Sequence, residues 1–402
     1  MSLLFYQIGV KLLSSSLNIL SYLGHKKAKK SILGKKNWIK DLSKLDNQKQ
    51  TIWIHAASHG EAIMAIPLIR RILELKNTQL IMSFFSPSGY ENFTYKDTNF
   101  IKIYLPFDSK INSKQIVELI NPKILIFVKY DLWLNIINEC NKKNIPTLVF
   151  SSKFRVHQWY FKNYGRSAQN VLKSINCILT VDHLSEKILK ENGFENVKHS
   201  GDTRYDQVGE NIPTLKLIKK YPCIILGSSW KDEEVIAAQN IREINNISWI
   251  IAPHEIDQKK VLKIKEKFGK DSVLFSELDV EKHLPKILII DKIGVLAELY
   301  FYSDIAFIGG GFSGKLHNIL EAASKGNFIL FGPKIKNYPE ANLMLKEEVS
   351  QVVEDKESFK KIILELISNP KELERKQKRA IELIKENRGA TNKVWNEIEK
   401  LI

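Results

Sequence analysis

A glutamate that opens a helix directly after a buried strand is placed to take a proton, and the stretch Ile52 to Pro67, IWIHAASHGEAIMAIP, has that layout. Ile52, Trp53 and Ile54 suit a buried strand, Gly60 permits a tight turn, and Glu61 stands at the head of the helix. The partial positive charge at a helix N-terminus favours an ionised carboxylate, and ligands of α/β sheets bind at the carboxyl ends of strands. From this stretch alone Glu61 has two open roles, a cap on its own helix or a general base. A second run, IAFIGGGFSGKLHNILEAASKGNFILFGPKIKNY from Ile305 to Tyr338, sets three glycines after an apolar strand and His317, Asn318 and Glu321 at a helix start. Such a turn permits close approach of a ligand, helix N–H groups hold phosphate, and Glu321 is placed to accept ribose hydroxyls. The run lacks the lysine and Ser/Thr of a P-loop and the spacing of a dinucleotide fingerprint. It reads as a nucleotide pocket of another kind, with a purely structural turn as the alternative.

The elements that must position these residues follow from periodicity. From Thr51 apolar runs alternate with longer amphipathic segments, the pattern of βα units and a largely parallel sheet. Strands are expected at Ile52 to His55, Leu80 to Phe85, Ile101 to Leu105, Ile124 to Val128, Thr147 to Ser151, Cys177 to Val181 and Val197 to Ser200. A second series is expected at Cys223 to Gly227, Ile247 to Ala252, Ser272 to Phe275, Ile287 to Ile290, Ile305 to Gly309, Phe328 to Phe331 and Val349 to Val353. Pro67 predicts a kink or a restart in the first helix. The strand signal stops between Asp206 and Pro222. The expected organisation is therefore an amino-terminal segment over 1–40, a first α/β domain over 41–206, a linker over 207–222, a second α/β domain over 223–356, and helices over 357–402 that return toward the first domain.

Charge and composition restrict the partners. The 402 residues carry a formal charge of +16, which favours nucleic acid, acidic membrane or phosphorylated substrates. Few aromatics are interleaved with the lysines, so a base-stacking nucleic-acid surface is poorly supported. Cys140, Cys177 and Cys223 lie far apart, excluding a paired disulfide or zinc spacing, and no acidic or histidine cluster has metal spacing. No metal and no cofactor are expected. Residues 1–24 are mostly apolar and are followed by His25, Lys26, Lys27, Lys29, Lys30, Lys35 and Lys36, the reverse of signal-peptide order. Lys11, Ser14 to Ser16 and Asn18 interrupt the roughly 20 apolar residues that a spanning helix needs. Docking on an anionic membrane surface, with about 1 kcal/mol per basic residue near the headgroups, is at least as well supported as spanning, and a packed amphipathic helix with a solvated tail is the alternative.

HAASHGEAIMAIP, SPSGYE, YLPFD, DLWLN, SGDTRYD, HNILEAA and GPKIKNY fall in the order and spacing of one family. The chain resembles the 3-deoxy-D-manno-octulosonic acid (Kdo) transferases, over nearly its whole length. The resemblance implies a GT-B fold, α/β, with two Rossmann-like domains facing across a cleft and an amino-terminal membrane-associated helix. It implies CMP-Kdo as donor, lipid A precursor as acceptor, and the cytoplasmic face of the inner membrane as location. Glu61 matches the family's proton acceptor and Arg204 its basic transition-state stabiliser, whose guanidinium suits a departing phosphate. Pro253 with His254, then Ile293, Gly294 and Val295, then Asn318, Ile319, Leu320 and Glu321, match the CMP-contacting segments.

This chain departs from the family at several positions. Lys129 stands where a second stabilising glutamate is usual, and a lysine there suits the Kdo carboxylate or an acceptor phosphate. His254 replaces an arginine, Ile319 a proline, and Lys315 with Leu316 two glycines. The implied chemistry is one inverting displacement with Glu61 as base. The alternatives are another nucleotide-sugar enzyme of the same fold, such as a hexose transferase or an epimerase, and a non-catalytic basic protein bound to membrane.

Overall fold

The computed structural model describes residues 3–209, 213–269, 271–278 and 283–402. Residues 1 and 2 of the expected amino-terminal segment and 210–212 of the expected linker lie outside the described residues. The chain divides into two compact units, Met1–Gln207 with Asn387–Ile402, and Val208–Glu386.

The first unit opens with helices α1 (Leu4–Tyr22) and α2 (Lys26–Asp41). Its strands are β1 (Gln50–Ala56), β2 (Thr78–Phe84), β3 (Phe100–Tyr104), β4 (Ile124–Val128), β5 (Thr147–Ser152), β6 (Cys177–Thr180) and β7 (Val197–His199). They pair in parallel in the order β3-β2-β1-β4-β5-β6-β7. Continuous buried runs such as ILIFV in β4 suit a parallel sheet covered on both faces. The order reverses between β1 and β4, where Ile54 lies opposite Ile126 and His55 opposite Phe127. Beyond the carboxyl ends of such a pair an α/β sheet opens its binding crevice.

In place of a restart, helix α3 runs as one element from His59 to Leu73 through Pro67. Proline has no N–H for the carbonyl four residues back, which here is Ile63. The Gln207 side chain donates to that oxygen instead. The helix therefore continues because a neighbouring segment satisfies the group that the proline abandons.

The amino-terminal helices are built into this unit. Tyr6 Oη donates to Asp108 Oδ2 at 2.5 Å, Gln7 Nε2 donates to Asn135 Oδ1 at 2.6 Å, and Trp38 and Leu42 enter the core. The other side of α1 leaves Leu4, Ile8, Leu12 and Ile19 exposed. Among the described residues no helix is long and apolar enough to cross a membrane.

The second unit repeats the architecture with β8 (Cys223–Ser229), β9 (Ser248–Pro253), β10 (Ser272–Leu274), β11 (Ile287–Ile289), β12 (Ile305–Ile308), β13 (Phe328–Phe331) and β14 (Ser350–Val352). All pair in parallel, in the order β10-β11-β9-β8-β12-β13-β14, with the reversal between β8 and β12. Helices Lys356–Ser368 and Pro370–Glu386 belong to this unit, whereas Ala390–Glu399 belongs to the first. There Val394 and Ile398 are buried, and Asp206 accepts the Gly389 and Thr391 amides, each at 2.6 Å.

Candidate active site

In the first unit the switch point is occupied. Glu61 lies in the first turn of α3, and its Oε2 accepts the Ala57 amide at 2.6 Å. The bond fixes the carboxylate over the loop that leaves β1. Burial raises its pKa above the ordinary glutamate range, while Lys129, the Ala57 amide and His55 pull it down and Asp131 pushes it up. A partly buried carboxylate with raised proton affinity suits a base better than a solvated cap does. Lys129 follows β4 with a left-handed backbone, φ 64°, and its amide donates to Phe150 O at 2.9 Å. That conformation is costly for a residue with a Cβ, and it recurs at Ser151, φ 51°, in the register shift just before the last pair of β5. Both positions lie at the carboxyl edge of the sheet.

Arg204 begins the short helix Arg204–Gln207. Its Nε and Nη2 donate to Asp202 Oδ2 at 2.9 and 2.6 Å, and its amide donates to Asp202 Oδ1 at 3.0 Å. The guanidinium is therefore aimed by a carboxylate two residues away. The segment is docked on α3, where Thr203 Oγ1 donates to Met64 O at 2.9 Å and Gln207 reaches Ile63 O. Glu61, Lys129 and Arg204 are thus gathered at one end of one sheet by β1, β4 and the chain beyond β7.

A buried polar cluster beside Glu61 was not assigned from residue types. His55 Nε2 lies 3.0 Å from Asp131 Oδ2, its Nδ1 lies 2.9 Å from Ser83 Oγ, and the Trp133 indole N–H donates to Asp131 Oδ2 at 3.1 Å. Lys35 of α2 is buried, donates to Leu105 O at 2.7 Å and lies 3.7 Å from the centre of the Phe85 ring. Burial pulls its pKa down to about 7, with Asp131 acting in the opposite sense. The motifs HAASHGE and DLWLN contain His55 and Asp131, but only the β1–β4 pairing shows that the two residues meet. For Lys35 the sequence offers a run of seven basic residues, with no sign that one of them is interior.

In the second unit Pro253 ends β9, and the His254 amide that follows donates to Ser229 O at 3.0 Å. The His254 ring stacks on Trp230, with centroids 4.7 Å apart, and lies 4.4 Å from His317. The Trp230 indole N–H donates to His317 Nε2 at 2.9 Å. Burial and the neighbouring His254 push His317 down to about 4, so it is neutral at physiological pH. Asn318 Oδ1 accepts the Leu320 amide at 3.1 Å, and Asn318 Nδ2 donates to Glu321 Oε1 at 3.2 Å. Ile319 and Leu320 are buried, so only their backbone is available to a ligand. Burial raises the Glu321 pKa, against Asn318 and Lys325. The first and third CMP-matching segments therefore meet through His254 and His317. The middle one, with Ile293 exposed, Gly294 at φ 93° and Val295 preceding the short helix Leu296–Leu299, is on the loop after β11. No hydrogen bond or ring contact ties it to the other two among the described residues.

The glycine triplet corrects an expectation. A Cβ on Gly309, Gly310 or Gly311 would lie 2.0 Å from Ser228 O, 2.1 Å from Lys315 O and 2.3 Å from the Gly332 nitrogen. The close approach these glycines permit is between protein backbones. The Gly310 amide is taken by Glu233 Oε1 at 2.9 Å, and the same buried carboxyl group accepts the Trp230 amide at 3.0 Å. The structural-turn alternative holds for the triplet, while the adjoining His317–Glu321 segment remains the open part of the run.

Among the described residues no group of three or more His, Cys, Asp or Glu could hold a metal ion.

Two doubly wound parallel sheets are the elements of the GT-B fold. MurG from Acinetobacter baumannii, 11% identical, shares that fold with a TM-score of 0.58, covering 88% of this chain and 99% of its own. The family model for 3-deoxy-D-manno-octulosonic-acid transferase (kdotransferase) matches residues 33–207. The 3-deoxy-D-manno-octulosonic acid transferase of Haemophilus influenzae is 27% identical over 370 residues, 86% of each chain. A bifunctional glycosyltransferase/methyltransferase of Fusobacterium nucleatum is 30% identical over 355 residues, 82% of this chain, which spans 54% of that protein's length. The fold and these likenesses define a glycosyltransferase. Residues 33–207 match the Kdo transferase family model, and the chain is similar to curated Kdo transferases over most of its length.

Proposed function

We propose that the protein transfers Kdo from CMP-Kdo to a lipid A precursor on the cytoplasmic face of the inner membrane, as a step of lipopolysaccharide synthesis. The observation that carries the reading is the Glu61 carboxylate, partly buried at the β1–β4 switch point, fixed by the Ala57 amide and raised in proton affinity. A glucosamine hydroxyl of the acceptor gives its proton to Glu61 as the oxygen attacks the anomeric carbon of Kdo. The bond from that carbon to the phosphate oxygen breaks, CMP leaves, and the configuration inverts in one displacement. Arg204, already oriented by Asp202, meets the charge gained by the departing phosphate. Lys129 presents a cation beside the base, where it pairs with the Kdo carboxylate. His254, Gly294, Asn318 and Glu321 hold the CMP moiety, with Pro253, Ile293, Val295, Ile319 and Leu320 supplying backbone contacts.

The acceptor is an anionic amphiphile. The exposed Leu4, Ile8, Leu12 and Ile19 of α1 enter the lipid interface, and the exposed lysines 26, 27, 29, 30 and 36 meet its headgroups. Incubation of purified protein with a CMP-Kdo-generating mixture and tetraacylated lipid A precursor, followed by mass spectrometry of the lipid, tests the proposal. A Kdo increment supports it. Unchanged lipid mass with active donor present contradicts it.

A further inference from the structure

We propose that the first unit contains an acyl-chain site, a cavity between α1 and the segment around Trp159 and Tyr164 that takes one fatty chain of the acceptor. The cavity holds about 560 Å³, within the roughly 300 to 1,000 Å³ usual for small-ligand pockets. Its floor is apolar and buried, formed by Val10, Trp133 and Ala168. Phe5, Leu13, Trp159 and Tyr164 line it while remaining exposed, which marks an open mouth.

Two further observations indicate the occupant. Leu4, Ile8 and Leu12, next in sequence to the lining residues Phe5, Gly9 and Leu13 of α1, are also apolar and exposed, as a surface that meets lipid requires. Lys162 and Arg166, exposed and each two residues from the lining Tyr164, are cations suited to an anionic headgroup. At the other end, Trp133 is shared with the candidate active site, because its indole N–H donates to Asp131 in the cluster beside Glu61. An amphiphile with its chain on one face of Trp133 has its sugar head on the side of the base.

The cavity depends on a glycine that the fold does not require. Gly9 is in the middle of α1, where glycine weakens a helix, and a Cβ there would meet nothing within 4 Å. A side chain at position 9 would occupy the space that the glycine leaves open. The acyl assignment rests on the lipid acceptor of the proposed function, and its test is independent of transfer.

The probe is 12-bromododecanoic acid below its micellar concentration, whose bromine quenches tryptophan. Wild-type protein should show saturable quenching, with affinity falling about fourfold for each methylene removed from the probe. Gly9→Leu should abolish that quenching with an unchanged circular dichroism spectrum, and Gly9→Ala should retain it. Leu13→Trp, which narrows the mouth, serves if Gly9→Leu does not fold. In transfer assays Gly9→Leu should raise KM for tetraacylated acceptor at least tenfold and leave KM for a de-acylated acceptor unchanged. Absence of transfer by wild type, with quenching that Gly9→Leu abolishes, contradicts the Kdo reading and supports the chain site. Absence of quenching in wild type, or quenching undiminished by the folded filling variant, overturns the cavity proposal.

Discussion

Burial raises the proton affinity of the Glu61 carboxyl, and the Lys129 ammonium across the β1–β4 switch point is the strongest influence drawing it back. A lysine here therefore acts on the base as well as on any anionic substrate. Lys129→Met removes the cation, so Glu61 protonates at a higher pH. The acid limb of the kcat/KM profile should move upward, with activity at pH 6 falling more than activity at pH 8. An unshifted limb would assign Lys129 to substrate contact alone.

The same burial has a cost in stability. A carboxyl group whose pKa is higher in the folded than in the unfolded chain contributes stability that is fully present below the unfolded pKa and lost as pH rises through the folded one. Glu61→Gln keeps an oxygen to accept the Ala57 amide and removes the charge. Its melting temperature should exceed that of wild type at pH 8, and the difference should shrink toward pH 4. A variant less stable than wild type at pH 8 would show the carboxylate to be mainly a structural cap.

Asp108 fastens α1 to the sheet by accepting Tyr6 Oη, Ser113 Oγ and the amides of Asn135 and Ile136. Burial pushes its pKa up to about 6, against those four donors. Its contribution is thus fully present below the unfolded carboxylate range and declines as pH rises through about 6. Tyr6→Phe removes a donor to the ionised form, so its penalty should be larger at pH 8 than at pH 5. A loss of about 1 to 3 kcal/mol in urea unfolding at pH 8 is expected.

Every expected strand is present, within three residues at either end, because fully buried parallel strands announce themselves as short apolar runs. The placement of Glu61 at a helix head after a buried strand was legible for a related reason, although Gly60 proves to lie inside the helix and forms no turn. What escaped was carried by tertiary pairing. His55 and Asp131 are 76 residues apart and meet only because β1 and β4 are neighbours. Lys35 looks like its six basic neighbours in sequence, yet its amphipathic helix turns it inward onto Phe85. The glycine triplet misled because close backbone approach has the same sequence signature whether a ligand or another loop approaches. The restart at Pro67 does not occur, and a distant glutamine supplies the partner that local sequence lacks.

Membrane docking through the exposed face of α1 has its own test. Ile8→Glu with Leu12→Glu changes two exposed side chains and leaves the Tyr6 and Gln7 anchors in place. Sedimentation with vesicles containing anionic lipid should fall at least tenfold, with CMP affinity unaltered. Undiminished sedimentation would move the docking surface elsewhere.

The account stands or falls on Glu61 as base, and the most direct measurement is the turnover of Glu61→Gln at saturating CMP-Kdo and tetraacylated lipid A precursor, read by lipid mass, beside its CMP dissociation constant. The prediction is a loss of about 10² to 10⁴-fold or more in turnover with CMP affinity nearly unchanged, and the reverse pattern for Asn318→Ala. Near-normal turnover by Glu61→Gln, or CMP binding weakened as much as by Asn318→Ala, would contradict it.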